Sequence, residues 1–146
     1  MTATMPQSPV SASAQDYLEA IFRITTRNRV ARSRDIAQAL GVTKSSVTTA
    51  LKQLSASGFV NYDRYSYVTL TNAGEKIGRS VEERHRFLAT FLENVLGVDA
   101  ACADQNACRI EHTLDEDVYA RLTAFADYLE KHNITAESWL PERKTK

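Results

Sequence analysis

Three residues within positions 107–117, "ACRIEHTLDED", carry the side chains that hold transition metals: Cys108, Glu111 and His112. A helix turns roughly 300° from Cys108 to Glu111 and roughly 400° from Cys108 to His112, which puts all three on one face. Thiolate, carboxylate and imidazole together make an ordinary site for a divalent cation. Asp104, four residues before Cys108, falls on the same face. Asp16 and Glu19 stand three residues apart in an earlier helical stretch, and His85 lies in another, between Arg84 and Arg86. A site gathered from three helices would lock those helices together. Each residue also has a structural reading. Asp16 and Glu19 in a first turn would stabilise a helix N-terminus. His85 would be a partly buried polar group, and Cys108 a small core residue. A nucleophilic Cys108–His112 pair is a further alternative, but no third orienting group or oxyanion element accompanies it, and the chain is not expected to be an enzyme.

The elements that must position these residues can be read from periodicity. The chain has 146 residues, 43% hydrophobic and 25% charged, enough for one good core or two small units sharing one. No run of 18 or more apolar residues is present, so no membrane span is expected. The start, "MTATMPQSPVSASA", has no apolar h-region and reads as a disordered leader over 1–11. Two cysteines six residues apart on a helix do not face each other, and free thiols fit a reducing cytoplasm. The net charge of zero hides an asymmetry. Residues 1–80 hold ten Lys/Arg against five Asp/Glu, and residues 81–146 hold eight against thirteen. The basic half suits a polyanion, and the acidic half suits cations or a solvated helical surface.

"SAQDYLEAIFRITTRN" has helical spacing, with Ser13 as the expected N-cap. "SRDIAQALGV" begins at Ser33, an N-cap candidate, and stops at Gly41. "TKSSVTTALKQLSASG" starts at Thr43 and repeats Val47, Ala50, Leu51 and Leu54 at i, i+3, i+4, i+7. Two helices around the tight turn Gly41-Val42-Thr43 predict a helix-turn-helix. "FVNYDRYSYVTLT" then switches to a strand pattern with a polar tip, the wing of a winged helix. Residues 71–97 predict one long helix ended by Gly97, followed by helices over "DAACADQNACRIEHTL" and from Asp115 to residue 133. The expectation is a mostly α chain with a winged-helix unit at 12–74, an all-helical unit at 75–134 and a tail at 135–146.

The second helix of a helix-turn-helix presents its N-terminal residues to the major groove. Here these are Lys44, Ser45, Ser46, Thr48, Thr49 and Lys52. Hydroxyls can meet bases or phosphates, and lysines suit phosphates. Arg32 and Arg34, with Arg64 and Tyr65 on the wing, would add backbone contacts. The order of cap, helix, glycine turn, helix and hairpin in a basic segment favours double-stranded DNA as partner.

The segments "DYLEAIFRI" (16–24), "RSRDIAQALGVTKSSVTTALKQLSASGFVNYDRY" (32–65), "VTLTNAGEKIG" (68–78), "RHRFLATFLENVLGVD" (84–99) and "ACRIEH" (107–112) resemble the diphtheria toxin repressor family, the iron- and manganese-dependent bacterial repressors. The likeness runs over residues 14–130, and the length is similar to the shorter manganese branch. It implies a homodimeric, metal-activated repressor of metal-uptake genes, with a winged helix and a helical metal-binding and dimerisation unit. The implied metal ligands are Asp16, Glu19, His85, Cys108, Glu111 and His112. Asp16 resembles the manganese branch and Cys108 the iron branch. Asp104 stands where the iron branch has an ancillary histidine, Ala89 where a second carboxylate is often found, and Tyr67 where the wing usually has glycine. One thiolate among oxygen ligands leans towards Fe²⁺ over Mn²⁺. The rival reading is a winged-helix regulator that senses oxidation through Cys108, or an organic ligand, with a structural metal or none.

Overall fold

In a computed structural model of the protein the described residues are 10–63 and 67–141. They form helices α1 (Ala12–Asn28), α2 (Ser33–Leu40), α3 (Lys44–Ala56), α4 (Asn72–Asn94), α5 (Ala100–Ile110), α6 (Glu116–Lys131) and α7 (Ala136–Trp139), with strands β1 (Val60–Asn61) and β2 (Thr69–Leu70) between α3 and α4. These residues fall into two compact units that divide after Glu82, inside α4.

In the first unit the apolar stripes of α1, α2 and α3 meet. Leu18, Ile21, Ile36, Val47, Leu51 and Val68 are fully buried. Gly41 turns between α2 and α3 with φ of 65°, a conformation that costs glycine little. Thr43 caps α3 by accepting from Ser46 N–H at 3.1 Å. Two expected caps move. Ser11, not Ser13, caps α1, accepting from Ala14 N–H at 3.2 Å. Ser33 is the first residue of α2, and Arg32 occupies the cap position without a side-chain capping hydrogen bond. Val10, within the expected leader, is buried against this core.

The hairpin is short and antiparallel, with Val60 opposite Leu70 and Asn61 opposite Thr69. A separate bridge joins Ala31 to Val68. Thr71 ties the hairpin to α4: its hydroxyl donates to Gly58 O at 2.7 Å and accepts from Gly74 N–H at 3.2 Å. Two glycines then let α4 lie against its neighbours. A Cβ on Gly74 would sit 1.9 Å from the Phe59 carbonyl oxygen, and one on Gly78 would sit 2.6 Å from that of Leu18.

In the second unit α4 ends at Asn94, short of the expected Gly97, which turns the chain with φ of 66°. The expected tail contains α7, whose Trp139 donates its indole N–H to Val95 O at 2.8 Å. Phe87 meets Tyr119 edge to face at 5.4 Å, and Leu88, Ala103, Ala107 and Leu129 are buried. Among the described residues no helix is long and apolar enough to cross a membrane. Neither Cys102 nor Cys108 forms a disulfide among the described residues.

Gly78→Ala is expected to destabilise the protein by about 1–3 kcal/mol, since overpacking against a backbone carbonyl outweighs the ~1 kcal/mol that alanine adds to helix propensity. Urea unfolding measures it; a variant as stable as the parent would show that α1 and α4 can move apart freely.

Candidate metal centre and nucleic-acid interface

Cys108, Glu111 and His112 do not share the single helical face expected from spacing. α5 stops at Ile110, Glu111 is its C-cap residue and His112 lies in the following turn. Arg84, on α4, bonds the segment that follows. Its Nη1 donates to Leu114 O at 2.7 Å and to Glu111 O at 3.4 Å. Its Nη2 pairs with Glu116 at 2.6 Å, and its guanidinium stacks on Tyr119 at 4.7 Å. The turn carrying Glu111 and His112 is thereby pinned between α5 and α6. Burial pushes the Tyr119 phenol above its ordinary value, with Arg84 pulling the other way.

The Glu111 side chain is fully buried. Its Oε2 lies 2.6 Å from His85 Nδ1. Its Oε1 has no hydrogen-bond partner among the described residues, although His112 Nε2 stands 3.2 Å away. The other ring nitrogen of His85, Nε2, lies 2.8 Å from Asp104 Oδ1. Ionised carboxylates only accept, and a neutral imidazole donates from one nitrogen alone. Two carboxylates on one ring, plus a buried carboxylate oxygen without a bond, suit a positive charge at this point, carried by an imidazolium or by a bound metal ion. Cys108 is exposed, yet its Sγ lies within 4.8 Å of a Glu111 oxygen. The structure thus gathers His85, Asp104, Cys108, Glu111 and His112 within the second unit, and these donor types fit a divalent transition metal.

Asp16 and Glu19 lie in the first unit, on α1. The helix begins at Ala12 and its first turn holds no acidic residue, so the helix-terminus reading of this pair does not hold. Asp16 is half-buried. Glu19 is buried and pairs with Arg23 at 2.7 Å, and Arg23 in turn bonds Glu82. A buried carboxylate held by one arginine is strongly built in. Spacing singles out the candidate ligands but not Arg84, because two of its partners are backbone carbonyls that only the fold brings to it.

On the DNA-reading side, Lys44, Ser45, Ser46, Thr49 and Lys52 are exposed along α3, Thr48 is half-buried, and Arg32 and Arg34 are exposed on α2's N-terminal side. The hydroxyls of Thr48 and Thr49 donate back to Lys44 O and Ser45 O at 3.0 and 3.1 Å, so each offers an acceptor oxygen outward. Ser46 shares a 2.9 Å hydroxyl contact with Thr43. Arg64 and Tyr65 lie outside the described residues. Tyr67, which spacing did not single out as a DNA contact, is half exposed beside Arg32.

Comparison with known proteins agrees in order and extent. Residues 10–68 match the iron dependent repressor N-terminal DNA binding domain. Residues 71–139 match the iron dependent repressor metal binding and dimerisation domain. An HTH-type transcriptional regulator of Methanocaldococcus jannaschii is 34% identical over 119 residues, 81% of this chain and 95% of that protein. The HTH-type transcriptional regulator MntR of Lysinibacillus sphaericus is 34% identical over 120 residues, 82% of this chain and 86% of that protein. A manganese-dependent transcriptional repressor solved in complex with manganese superposes with a TM-score of 0.70 at 30% identity, over 79% of this chain. The chain spans about half of that solved protein, 53% of its length. With both halves of the chain matched in sequence and fold, it belongs to the iron-dependent, or diphtheria toxin, repressor family of metal-dependent DNA-binding transcriptional repressors.

Proposed function

We propose that this chain is a homodimeric repressor that binds operator DNA when loaded with Fe²⁺ or Mn²⁺ and controls metal-uptake genes. The winged-helix portion, 12–74, reads DNA, and residues 75–134 bind metal and dimerise. The ligand set is Asp16, Glu19, His85, Cys108, Glu111 and His112, with Asp104 ancillary. The observation that carries this reading is Glu111: fully buried, one oxygen on His85 and the other without a hydrogen bond. Bound metal supplies the positive charge that this carboxylate lacks. Glu111 and His112 are held ready by Arg84, and His85 by Asp104, so few side chains need ordering on binding.

Cys108 contributes the one soft donor, which leans the set towards Fe²⁺; the carboxylates suit Mn²⁺ as well. Zinc would bind such donors more tightly than either, so geometry and availability must set selectivity. Metal need favour the DNA-competent arrangement over others by only a few kcal/mol, and by reciprocity DNA tightens metal binding by the same factor. On α3, lysines and hydroxyls dominate, so phosphate contacts carry much of the affinity. For the dimer, Val118, Phe125 and Tyr128 expose apolar surface along one stripe of α6.

DNA binding by chelator-stripped protein, followed by anisotropy during anaerobic Fe²⁺ and Mn²⁺ titrations, tests the whole reading. Tight binding is expected only with metal, with Fe²⁺ acting at the lower free concentration; equal binding by stripped protein refutes metal activation. Glu111→Gln is expected to weaken metal affinity by no less than the ~10–100-fold seen on losing an outer-shell partner, as measured by competition with a chromophoric chelator. Phe125→Asp is expected to shift sedimentation from dimer to monomer, and a variant that stays dimeric places the interface elsewhere.

A further inference from the structure

The bridge between Ala31 and Val68 is closed by two backbone hydrogen bonds. Ala31 N–H donates to Val68 O at 3.1 Å, and Val68 N–H to Ala31 O at 2.8 Å. The adjoining residues, Arg32 and Tyr67, therefore stand opposite each other across the junction of α2 and the wing. Arg32 Cζ lies 5.2 Å from the centroid of the Tyr67 ring, and Arg32 Nη2 donates to the Tyr67 hydroxyl at 3.3 Å. Both side chains are exposed.

Arg32 shares with Arg27, Arg29, Arg86 and Arg109 the lack of an ion pair among the described residues, but of these five only Arg32 lies over an aromatic ring there. Arg23, Arg34, Arg79, Arg84 and Arg121 each pair with a carboxylate. Arg32 forms no ion pair among the described residues; an aromatic face and a neutral hydroxyl hold it instead. Such a contact fixes the guanidinium plane without cancelling its charge. It also leaves most of the five N–H donors unused. A planar, oriented, uncompensated cation next to the recognition helix matches one ligand chemistry, a phosphate oxygen pair.

We propose that Arg32 and Tyr67 form a preset phosphate clamp at the base of the wing. Tyr67 is a positioning residue that holds the Arg32 guanidinium for one DNA backbone phosphate. The proposal rests on the DNA-binding reading above.

The test uses the full-length Mn²⁺-loaded protein with two labelled duplexes, one selected from a randomised pool and one of unrelated sequence. Affinity is measured over a range of KCl concentrations. Arg32→Ala is expected to weaken both duplexes alike and to flatten the log K against log salt slope by about 0.9, the loss of one phosphate contact. Tyr67→Ala is expected to weaken both several-fold, with most of that loss absent when Arg32 is already alanine. Tyr67→Phe keeps the ring and is expected to fall between parent and Tyr67→Ala. Partial unfolding lowers the active fraction but does not change the salt slope, so it cannot imitate this result. A slope unchanged by Arg32→Ala, a Tyr67→Ala variant equal to the parent, or full additivity of the two alanine changes overturns the clamp while leaving DNA binding intact. A parent protein that binds neither duplex overturns both.

Discussion

The arrangement of the second unit turns on one buried carboxylate. Ionised Glu111 in a dry environment is costly unless its charge is met. One oxygen is met by His85; the other stands near His112 without a hydrogen bond. The residues around it are organised to keep it there. Arg84 bonds the turn that carries it, reaches Glu116 at the start of the next helix and rests on Tyr119. A cation bound to Glu111 would thus act on a turn already connected to α4, α5 and α6, so local charge neutralisation has a rigid element to act through.

The donor set mixes two chemistries. Oxygen donors from Asp and Glu are hard and adaptable, whereas Cys108 is soft and, being exposed, open to solvent. That combination does not select one first-row metal by affinity alone. Selectivity then depends on how closely the fixed members, Glu111 and His85, tolerate a given coordination geometry, and on which ion is available.

The DNA-reading unit works by different physics. The first two turns of α3 expose Lys44 and hydroxyls rather than the Arg, Asn or Gln side chains that read base edges with two bonds. Affinity in such a surface comes largely from phosphates and is sensitive to salt. The Ala31–Val68 bridge places Tyr67 beside Arg32 and so orients one of the cations on this surface.

Much of this was legible without coordinates. The 3.6-residue period of Val47, Ala50, Leu51 and Leu54, the Gly41 turn, the Thr43 cap and the change to a strand pattern after Gly58 are local properties, written in propensity and backbone freedom. The ligand types were legible because only a few side chains bind metal. What lay beyond the sequence depends on residues distant along the chain. The bonds that Arg84 makes to Glu111 O and Leu114 O span 27 and 30 positions of the chain. Ser11 rather than Ser13 caps α1 because neighbouring serines offer near-equal local choices, whereas at α2 the Arg32 position goes against the local preference for serine. The Arg32–Tyr67 pair and the burial of Glu111 arise where separate elements meet, since burial and electrostatic environment are properties of the packed chain and no local window contains them.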